Sequence, residues 1–397
     1  MSLRLPEQPG STRPTGTPVT APTGERAGTP TGTPATAPTG ERAVRQRGRI
    51  GWEVAGLGGI ARPRVLGVLA VVLVLAAAGL VASVSIGEFP IPAGDVVRAL
   101  TGTGGADATL IVRELRLPRA LTGLLVGFAF GLAGALMQAV TRNPLASPDL
   151  IGISAGASTG GVAAILIGGV TAAGAGSYAS VPLGALVGAL VAAGVIYAMA
   201  FRDGAITGFR FVLVGIGVQG ALTALTSWLL ARADINEASR AMVWLTGSLN
   251  GRGFEHAWWA GLALLVTLPV VLALIRPYQL LQYGDDTARA LGLPVDRARV
   301  VLLLASVVLA AVATAAAGPI GFVALAAPQI ARRLTGTANL PLLTSGCVGA
   351  ALMLGADLAA RLLLAPIELP VGVVTGAVGA PYLMWLLTRA NRVGRAG

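Results

Sequence analysis

The chain has 397 residues, of which 54% are hydrophobic and 12% charged, with a formal net charge of +11; since a typical soluble domain has roughly 25% charged residues, an ordinary soluble protein is excluded. All 29 basic residues are arginine, which excludes the lysine-dependent P-loop of a nucleotide-hydrolysing domain. A single histidine, His256, and a single cysteine, Cys347, exclude a His/Cys metal cluster and an internal disulfide, so we expect no metal and no cofactor.

The first 60 residues are rich in Thr, Pro, Gly, Ala and Arg. The segment TGTPVTAPTGERA at 15–27 recurs at 31–43 as TGTPATAPTGERA. Such a composition cannot bury enough apolar surface to offset its chain entropy. We therefore predict a disordered tail over 1–60 and a membrane domain over 61–397.

Ten apolar runs follow the tail. A bilayer takes about 20 apolar residues per helix, and the stretches 120–141, 150–201, 211–230 and 257–275 contain no charged residue. Because soluble helices carry a polar face, these runs predict an all-α integral membrane protein. The predicted spans are 65–84, 120–141, 150–168, 181–201, 210–230, 257–275, 299–317, 320–335, 342–364 and 371–389.

Arginines concentrate on one side of these spans. That side holds both termini and the short loops with Arg142, Arg276 and Arg333. Because positive residues favour cytoplasmic loops, we predict a multi-pass protein of the cytoplasmic membrane with both termini in the cytoplasm. The arginines lie in the tail and at helix ends rather than on one basic face, which argues against nucleic acid as a partner.

Charged residues also mark the predicted external side. Arg116 and Arg119 lie just before the second span, and we expect both to be exposed. Asp357 and Arg361 are four residues apart on one face of the ninth span. Two interpretations stay open for this pair: it is structural, or it presents Arg361 at the outer surface.

The stretch GDDTARALG, residues 284–292, lies between two apolar runs on the predicted cytoplasmic side. Asp285 and Asp286 are suited to an N-cap and to the positive end of a helix. Gly292 suits a left-handed C-cap position, and Pro294 prevents the helix from continuing. The pattern predicts a short rigid helix.

Two interruptions divide the apolar runs. Pro144 ends the second span, and Gly318-Pro319-Ile320-Gly321 separates the seventh from the eighth. A broken helix is tolerated in a membrane only where protein or a water-filled cavity satisfies the freed backbone groups. We expect a short helix to begin near Ile320.

Several motifs resemble the FecCD-type permeases of ABC importers, which carry iron chelates and vitamin B12. The resemblance covers nearly all of residues 65–390. Three stretches are most similar to the ferric enterobactin branch, whose permease works with a second, different permease. These stretches are GDDTARALG (284–292), GSLNG (247–251) and IARRLTGTA (330–338). The motifs are RLPR (116–119), GLAGALMQAVTRNPLASPDLIGISAGA (131–157), WLTGSLNG (244–251), GDDTARALG (284–292), AGPIGFVALAAPQIARR (317–333) and ADLAARLLLAPIELPVGVVTGAVGAP (356–381).

This resemblance implies a type II ABC importer permease fold and the import of a ferric siderophore, enterobactin-like, across the cytoplasmic membrane. It implies a transport subunit and not an enzyme, because two separate ABC ATPase subunits hydrolyse ATP. The other implied partners are a second permease, identical or homologous, and an external substrate-binding protein. Heme and cobalamin stay open as alternative cargoes.

The resemblance also assigns roles to residues. Arg116, Arg119 and Arg361 match positions that pair with glutamates of the binding protein, with contact to lipid headgroups as the alternative. Gln329 departs from the pattern, since similar proteins usually have histidine there; glutamine hydrogen-bonds but does not titrate. The segment that couples to the ATPase consists of Gly284, Asp285, Asp286, Thr287, Ala288, Arg289, Leu291 and Gly292. The cytoplasmic gate consists of Asn143 and Leu145 with a loosely matched partner, Thr207 and Gly208.

Two other function classes compete with this interpretation. An ion-driven secondary transporter needs ionisable groups inside the membrane, and the predicted spans are almost free of them. An intramembrane enzyme needs a catalytic Ser/His set, paired aspartates or several metal-binding histidines. With His256 alone, the sequence argues against such an enzyme.

Overall fold

The computed structural model of the protein describes residues 50–54, 57–61, 63–87, 89, 91–171, 177–202, 205–206 and 208–393. Most of the predicted disordered tail lies outside these residues and stays a prediction. Its last part carries two antiparallel strands, β1 (Ile50–Val54) and β2 (Leu57–Ala61).

Helices make up most of the described chain, and their order follows the predicted apolar runs. A second pair of short strands, β3 (Phe201–Arg202) and β4 (Ala205–Ile206), precedes α7. The helices are α1 (Pro63–Ser85), α2 (Ala93–Thr101), α3 (Ala106–Thr109), a π-helical segment (Leu110–Arg116), α4 (Leu117–Thr141), α5 (Ile153–Thr171), α6 (Ser177–Ala200), α7 (Gly208–Arg232), α8 (Ile235–Leu245), α9 (Phe254–Ala273), α10 (Ile275–Leu281), α11 (Asp285–Ala290), α12 (Val295–Ala317), α13 (Val323–Thr335), α14 (Leu342–Leu362) and α15 (Val371–Val393).

Each of the ten predicted spans coincides with one of these helices, so the helical membrane fold is confirmed. Among the described residues, seven helical runs are long and apolar enough to cross a membrane, and they coincide with all or most of α1, α4, α6, α7, α9, α12 and α14. Shorter apolar stretches, Ile153–Ile167 and Val371–Trp385, lie in α5 and α15. The remaining predicted span is α13, with 13 residues.

Three helices form the centre of the bundle. Of the most apolar window in each, 78% is buried for α4, 72% for α12 and 61% for α14, whereas only 11% is buried for α1 and for α7. The peripheral helices therefore turn large apolar faces outward, as expected where lipid or another membrane subunit surrounds them.

Glycines allow the central helices to approach closely. A Cβ atom at Gly127 would overlap the carbonyl oxygen of Gly349, and one at Gly131 would overlap that of Ser345, so α4 contacts α14 backbone to backbone. Gly184 and Gly188 of α6 make the same kind of contact with α5. Small residues at such spacing are typical of helix pairs in membranes.

The predicted break between α12 and α13 is present. Helix α12 ends at Ala317, and the next residue, Gly318, has a φ of 79°. Helix α13 begins at Val323, three residues later than expected. Phe322, which precedes α13, has a φ of 69°, a left-handed conformation that is uncommon for an aromatic residue. At the other end of α13, the Arg64 Nε at the start of α1 donates a hydrogen bond to the carbonyl oxygen of Leu334, 3.1 Å away.

Candidate functional site

The predicted short helix of the GDDTARALG stretch is present as α11. It begins after Gly284, whose φ is 108°. It ends in a Schellman-type motif, in which the Gly292 N–H donates to the Arg289 carbonyl oxygen and the Leu293 N–H donates to the Ala288 carbonyl oxygen. Gly292 has a φ of 81°, as its place in this C-terminal motif requires. The expectation that the aspartates cap the helix is wrong, because no side chain makes the cap hydrogen bond.

Asp285 instead fixes α11 to the bundle. Each of its carboxylate oxygens accepts a hydrogen bond of 2.8 Å from Arg299 Nη2 on α12, and Arg142 Nη2 lies 3.5 Å from Oδ1. Burial acts to raise the pKa of the Asp285 carboxyl, but the hydrogen bond from Arg299 and the charges of Arg299, Arg142 and Arg289 lower it below its ordinary value. We call Arg142, Asp285 and Arg299 the Asp285 cluster.

The opposite side of α11 is open. Ala288 is fully buried, whereas the side chain of Asp286 is fully exposed and that of Arg289 is 51% exposed. Thr287 and Leu291 are also exposed. The segment is thus held on one side by Asp285 and Ala288, and its free side offers both charges and an apolar side chain to a partner.

A second cluster of charges lies at the opposite end of α4. Arg119 Nη2 lies 2.9 Å from Asp357 Oδ1 on α14, and its Nη1 lies 2.9 Å from Glu368 Oε2 in the connection to α15. Arg361 Nη2 lies 3.1 Å from Asp357 Oδ2. We call Arg116, Arg119, Asp357, Arg361 and Glu368 the Arg119 cluster.

The expectation that Arg116 and Arg119 are exposed is wrong. Arg119 is held by the carboxylates of Asp357 and Glu368. Arg116, together with Arg361, satisfies backbone groups at and just after the end of α1. Arg116 donates hydrogen bonds to the carbonyl oxygens of Val84, Ser85 and Phe89. Arg361 donates to the carbonyl oxygens of Ser83 and Ile86 and to the Ser83 hydroxyl. The last carbonyls of a helix have no partner within it, and two buried arginines supply the donors here. For Asp357 and Arg361, the structural interpretation is therefore the correct one.

The gate residues are only partly described. Asn143 Oδ1 accepts a hydrogen bond of 2.9 Å from Leu145 N–H, which closes a tight turn directly after α4. Gly208 begins α7, and Thr207 lies outside the described residues. The role of these four residues as a gate stays a prediction.

Gln329, the departure from the family pattern, takes part in a buried hydrogen-bond chain. Arg332 donates to its oxygen at 2.8 Å, and Gln329 Nε2 donates to Gln138 Oε1 at 2.5 Å. Gln138 Nε2 in turn donates to the Leu325 carbonyl at 3.1 Å. The two glutamines thus join α13 to α4 through a contact between uncharged side chains. The lone glutamine in the apolar α4 run is the only sequence signal that points to this contact.

An open apolar groove of about 820 Å³ runs between α5, α6 and α7. Glycines such as Gly160 and Gly188 line it, and so does Thr159, which shares a hydrogen bond of 2.9 Å with Thr226. Within the described residues, no group of three or more His, Cys, Asp or Glu side chains is placed to hold a metal ion.

Comparisons with known proteins agree with these features. Residues 62–389 match the model of the FecCD transport family. The chain is 42% identical over 306 residues to the ferric enterobactin transport system permease protein FepG of Escherichia coli (strain K12), covering 77% of this chain and 91% of that protein. It is 38% identical over 290 residues to the vitamin B12 import system permease protein BtuC of Escherichia coli O1:K1, covering 71% and 85%.

A solved structure has the same arrangement of helices. It is a metal-chelate type ABC transporter in an inward-facing conformation, with a TM-score of 0.72 and 26% identity. The match covers 82% of this chain and 99% of the other. The helical bundle and the family motifs therefore point to the same class of protein.

Proposed function

Because the chain belongs to the FecCD transport family and is a permease subunit of an ABC importer for substrates of the iron-siderophore and vitamin B12 type, we propose that its cargo is a ferric siderophore similar to ferric enterobactin. The higher identity to the ferric enterobactin permease, 42% against 38% for the vitamin B12 permease, supports this choice. Heme and cobalamin are the alternative cargoes.

The coupling segment, residues 284–292, carries the proposal. In this scheme the exposed side of the segment binds one of two ABC ATPase subunits. Both termini of the chain lie on the same side of the membrane as the segment, in the cytoplasm. Asp285 passes the motion of the segment to α12 through Arg299, whose Nη2 atom contacts both carboxylate oxygens. Such a charge-assisted hydrogen bond is stronger than a neutral one. The chain hydrolyses no ATP itself; the partner ATPase supplies the energy.

A second permease, identical or homologous, completes the assembly in this proposal. The barely buried α1 and α7 leave apolar faces that a second membrane subunit can cover. The external binding protein docks on the end of the bundle that carries the Arg119 cluster. Because Arg116, Arg119 and Arg361 are engaged internally, we propose that they hold this docking surface rigid, with Glu368, 27% exposed, at its rim.

Co-reconstitution tests the proposal directly. The chain, its candidate ATPase, second permease and binding protein are placed in proteoliposomes, and uptake of ferric enterobactin and of cobalamin is measured with and without ATP. We expect ATP-dependent uptake of the siderophore only. Uptake driven by an ion gradient without the ATPase would instead support a secondary transporter, and uptake of cobalamin alone would reassign the cargo.

A further inference from the structure

The loop between α4 and α5, residues 142–152, reaches from the coupling segment to the break between α12 and α13. At its far end, Asp149 Oδ2 accepts a hydrogen bond of 3.2 Å from the Phe322 N–H. Phe322 is the residue that precedes the first turn of α13, where backbone N–H groups lack partners within the helix. A carboxylate there also interacts favourably with the positive end of the helix dipole.

The turn that Asp149 holds is strained and tightly packed. Phe322 has a φ of 69°, which costs an L-residue about 1–2 kcal/mol relative to a right-handed conformation. A Cβ atom at Gly379 of α15 would overlap the side chain of Phe322, so α15 lies directly against this residue. A shift of Phe322 would therefore displace α15 as well.

The near end of the loop touches the coupling segment. Arg142 has a left-handed φ of 52°, and its guanidinium lies 3.5 Å from Asp285. Consecutive hydrogen bonds stiffen the chain between the two ends: Asn143 to Leu145 and Ala146, Ser147 to Leu150 and Ile151, and Pro148 to Ile153. Ala146, Ser147 and Ile151 are almost fully buried, so the loop is packed into the bundle.

The covalent route from the coupling segment to α13 is interrupted. Arg299, at the start of α12, donates a hydrogen bond to Asp285 of the coupling segment. At the far end of α12, however, the break that contains Gly318 and Gly321 separates this helix from α13. The route along the polypeptide therefore contains a break in the helix between Ala317 and Val323. The contact between Asp149 and Phe322 lies beyond this break and bypasses it.

We propose that Asp149 is a positioning residue through which loop 142–152 passes movement of the coupling segment to the start of α13 and, through Phe322, to α15. This inference rests on the proposed function for its role in transport. The physical link itself can be tested on the purified chain alone.

The first experiment measures amide hydrogen exchange at residues 322–326 in detergent. Asp149→Ala should speed exchange there by about tenfold, the scale of leaving one buried donor without a partner, whereas Asp149→Asn keeps an acceptor oxygen and should restore most of the protection. Arg142→Ala should also speed exchange at 322–326, but should add nothing in the Asp149→Ala background. Additive effects of the two substitutions, or no effect of Asp149→Ala, would overturn the link.

The second experiment measures cargo transported per ATP hydrolysed by the complete reconstituted transporter. We expect Asp149→Ala to reduce this ratio by about tenfold while ATP hydrolysis is retained, with Asp149→Asn partly rescuing it. Asp296→Ala, which removes an exposed carboxylate at the start of α12, is the matched control and should leave the ratio unchanged. A parallel loss of complex yield, hydrolysis and transport would show a structural role only and overturn the proposal. A wild-type complex without ATP-dependent uptake would contradict the proposed function instead, and the exchange data would still decide the link.

Discussion

Arg119 of α4 and Asp357 of α14 form an ion pair of 2.9 Å in which the two side chains are 11% and 1% exposed. The same carboxylate lies 3.1 Å from Arg361, so one buried negative charge serves two arginines. Loss of one partner from a buried ion pair is strongly destabilising, because it leaves an uncompensated charge in a low-dielectric environment. The Arg119 cluster therefore joins the central helices at one end of the bundle.

We predict that Asp357→Asn lowers the free energy of unfolding by about 3 kcal/mol or more. Unfolding in detergent by heat or denaturant measures the change. The matched control is Asp95→Asn, which removes an exposed ion pair of 2.6 Å to Arg98 and should cost less than about 1 kcal/mol. Equal losses in the two variants would contradict a buried structural role for Asp357.

A charge reversal tests the coupling segment. Arg289 is half exposed and lies 3.8 Å from the fully exposed Asp286, so Arg289→Glu should leave the fold intact. It should abolish ATP-dependent uptake and co-purification with the ATPase, because the reversed charge faces the partner. Arg240→Glu, an exposed reversal on α8, is the control for ATPase co-purification. Unaltered uptake by Arg289→Glu would count against the coupling role.

The C-terminal motif of α11 gives a third prediction. Gly292 has a φ of 81° and open space around its Cβ position, so Gly292→Ala introduces backbone strain without a clash. We expect a local cost of about 1–2 kcal/mol, seen as faster hydrogen exchange across residues 284–292. Gly220→Ala in α7 also has open space but no positive φ, and it should leave exchange in this segment unchanged. The same exchange rates in both variants would exclude the strained cap.

The Asp285 cluster gives a pH dependence. Because the folded-state pKa of Asp285 is lowered below its ordinary value of about 3.9, its contribution to stability is present above that value and is lost as the pH falls through the folded pKa. Asp285→Asn should therefore lower the melting temperature at pH 7, and this difference from wild type should close below about pH 4. Asp286→Asn, at a fully exposed position, is the control and should show little difference at either pH. A difference that persists undiminished in acid would contradict the ion pair.

The sequence predicted the ten membrane helices because each apolar run is read directly from composition. It missed α2 and α8, which are 9 and 11 residues long and mix apolar with charged residues. Their short amphipathic pattern is not distinguished from an ordinary loop by hydropathy alone. The backbone contacts of Gly127 and Gly131 with α14 accord with their four-residue spacing, which is typical of helix pairs in membranes.

The sequence could not predict the partners of the charged residues. Arg116 and Arg119 stand at a helix end, where arginine normally reaches water, and nothing in their spacing shows that the end of α1 needs hydrogen-bond donors. Asp149 was overlooked because it lies in a loop rather than in an apolar run. Only the folded chain brings it to Phe322, 173 residues further along the sequence.

The first membrane helix is held by arginines at its two ends, and between them one face packs on the bundle while the other faces outward. Arg64 ties its start to α13, Arg116 and Arg361 hold its last carbonyls, and side chains in the middle such as Val74 point outward. At the outward-facing positions of that middle stretch any apolar side chain can serve, but the length of the stretch cannot change. One inserted residue would turn the far end by about 100° and move it by about 1.5 Å, carrying the carbonyls away from both guanidinium groups. Among variants of this chain, the number of residues in α1 should therefore be more tightly constrained than the identity of its outward-facing residues.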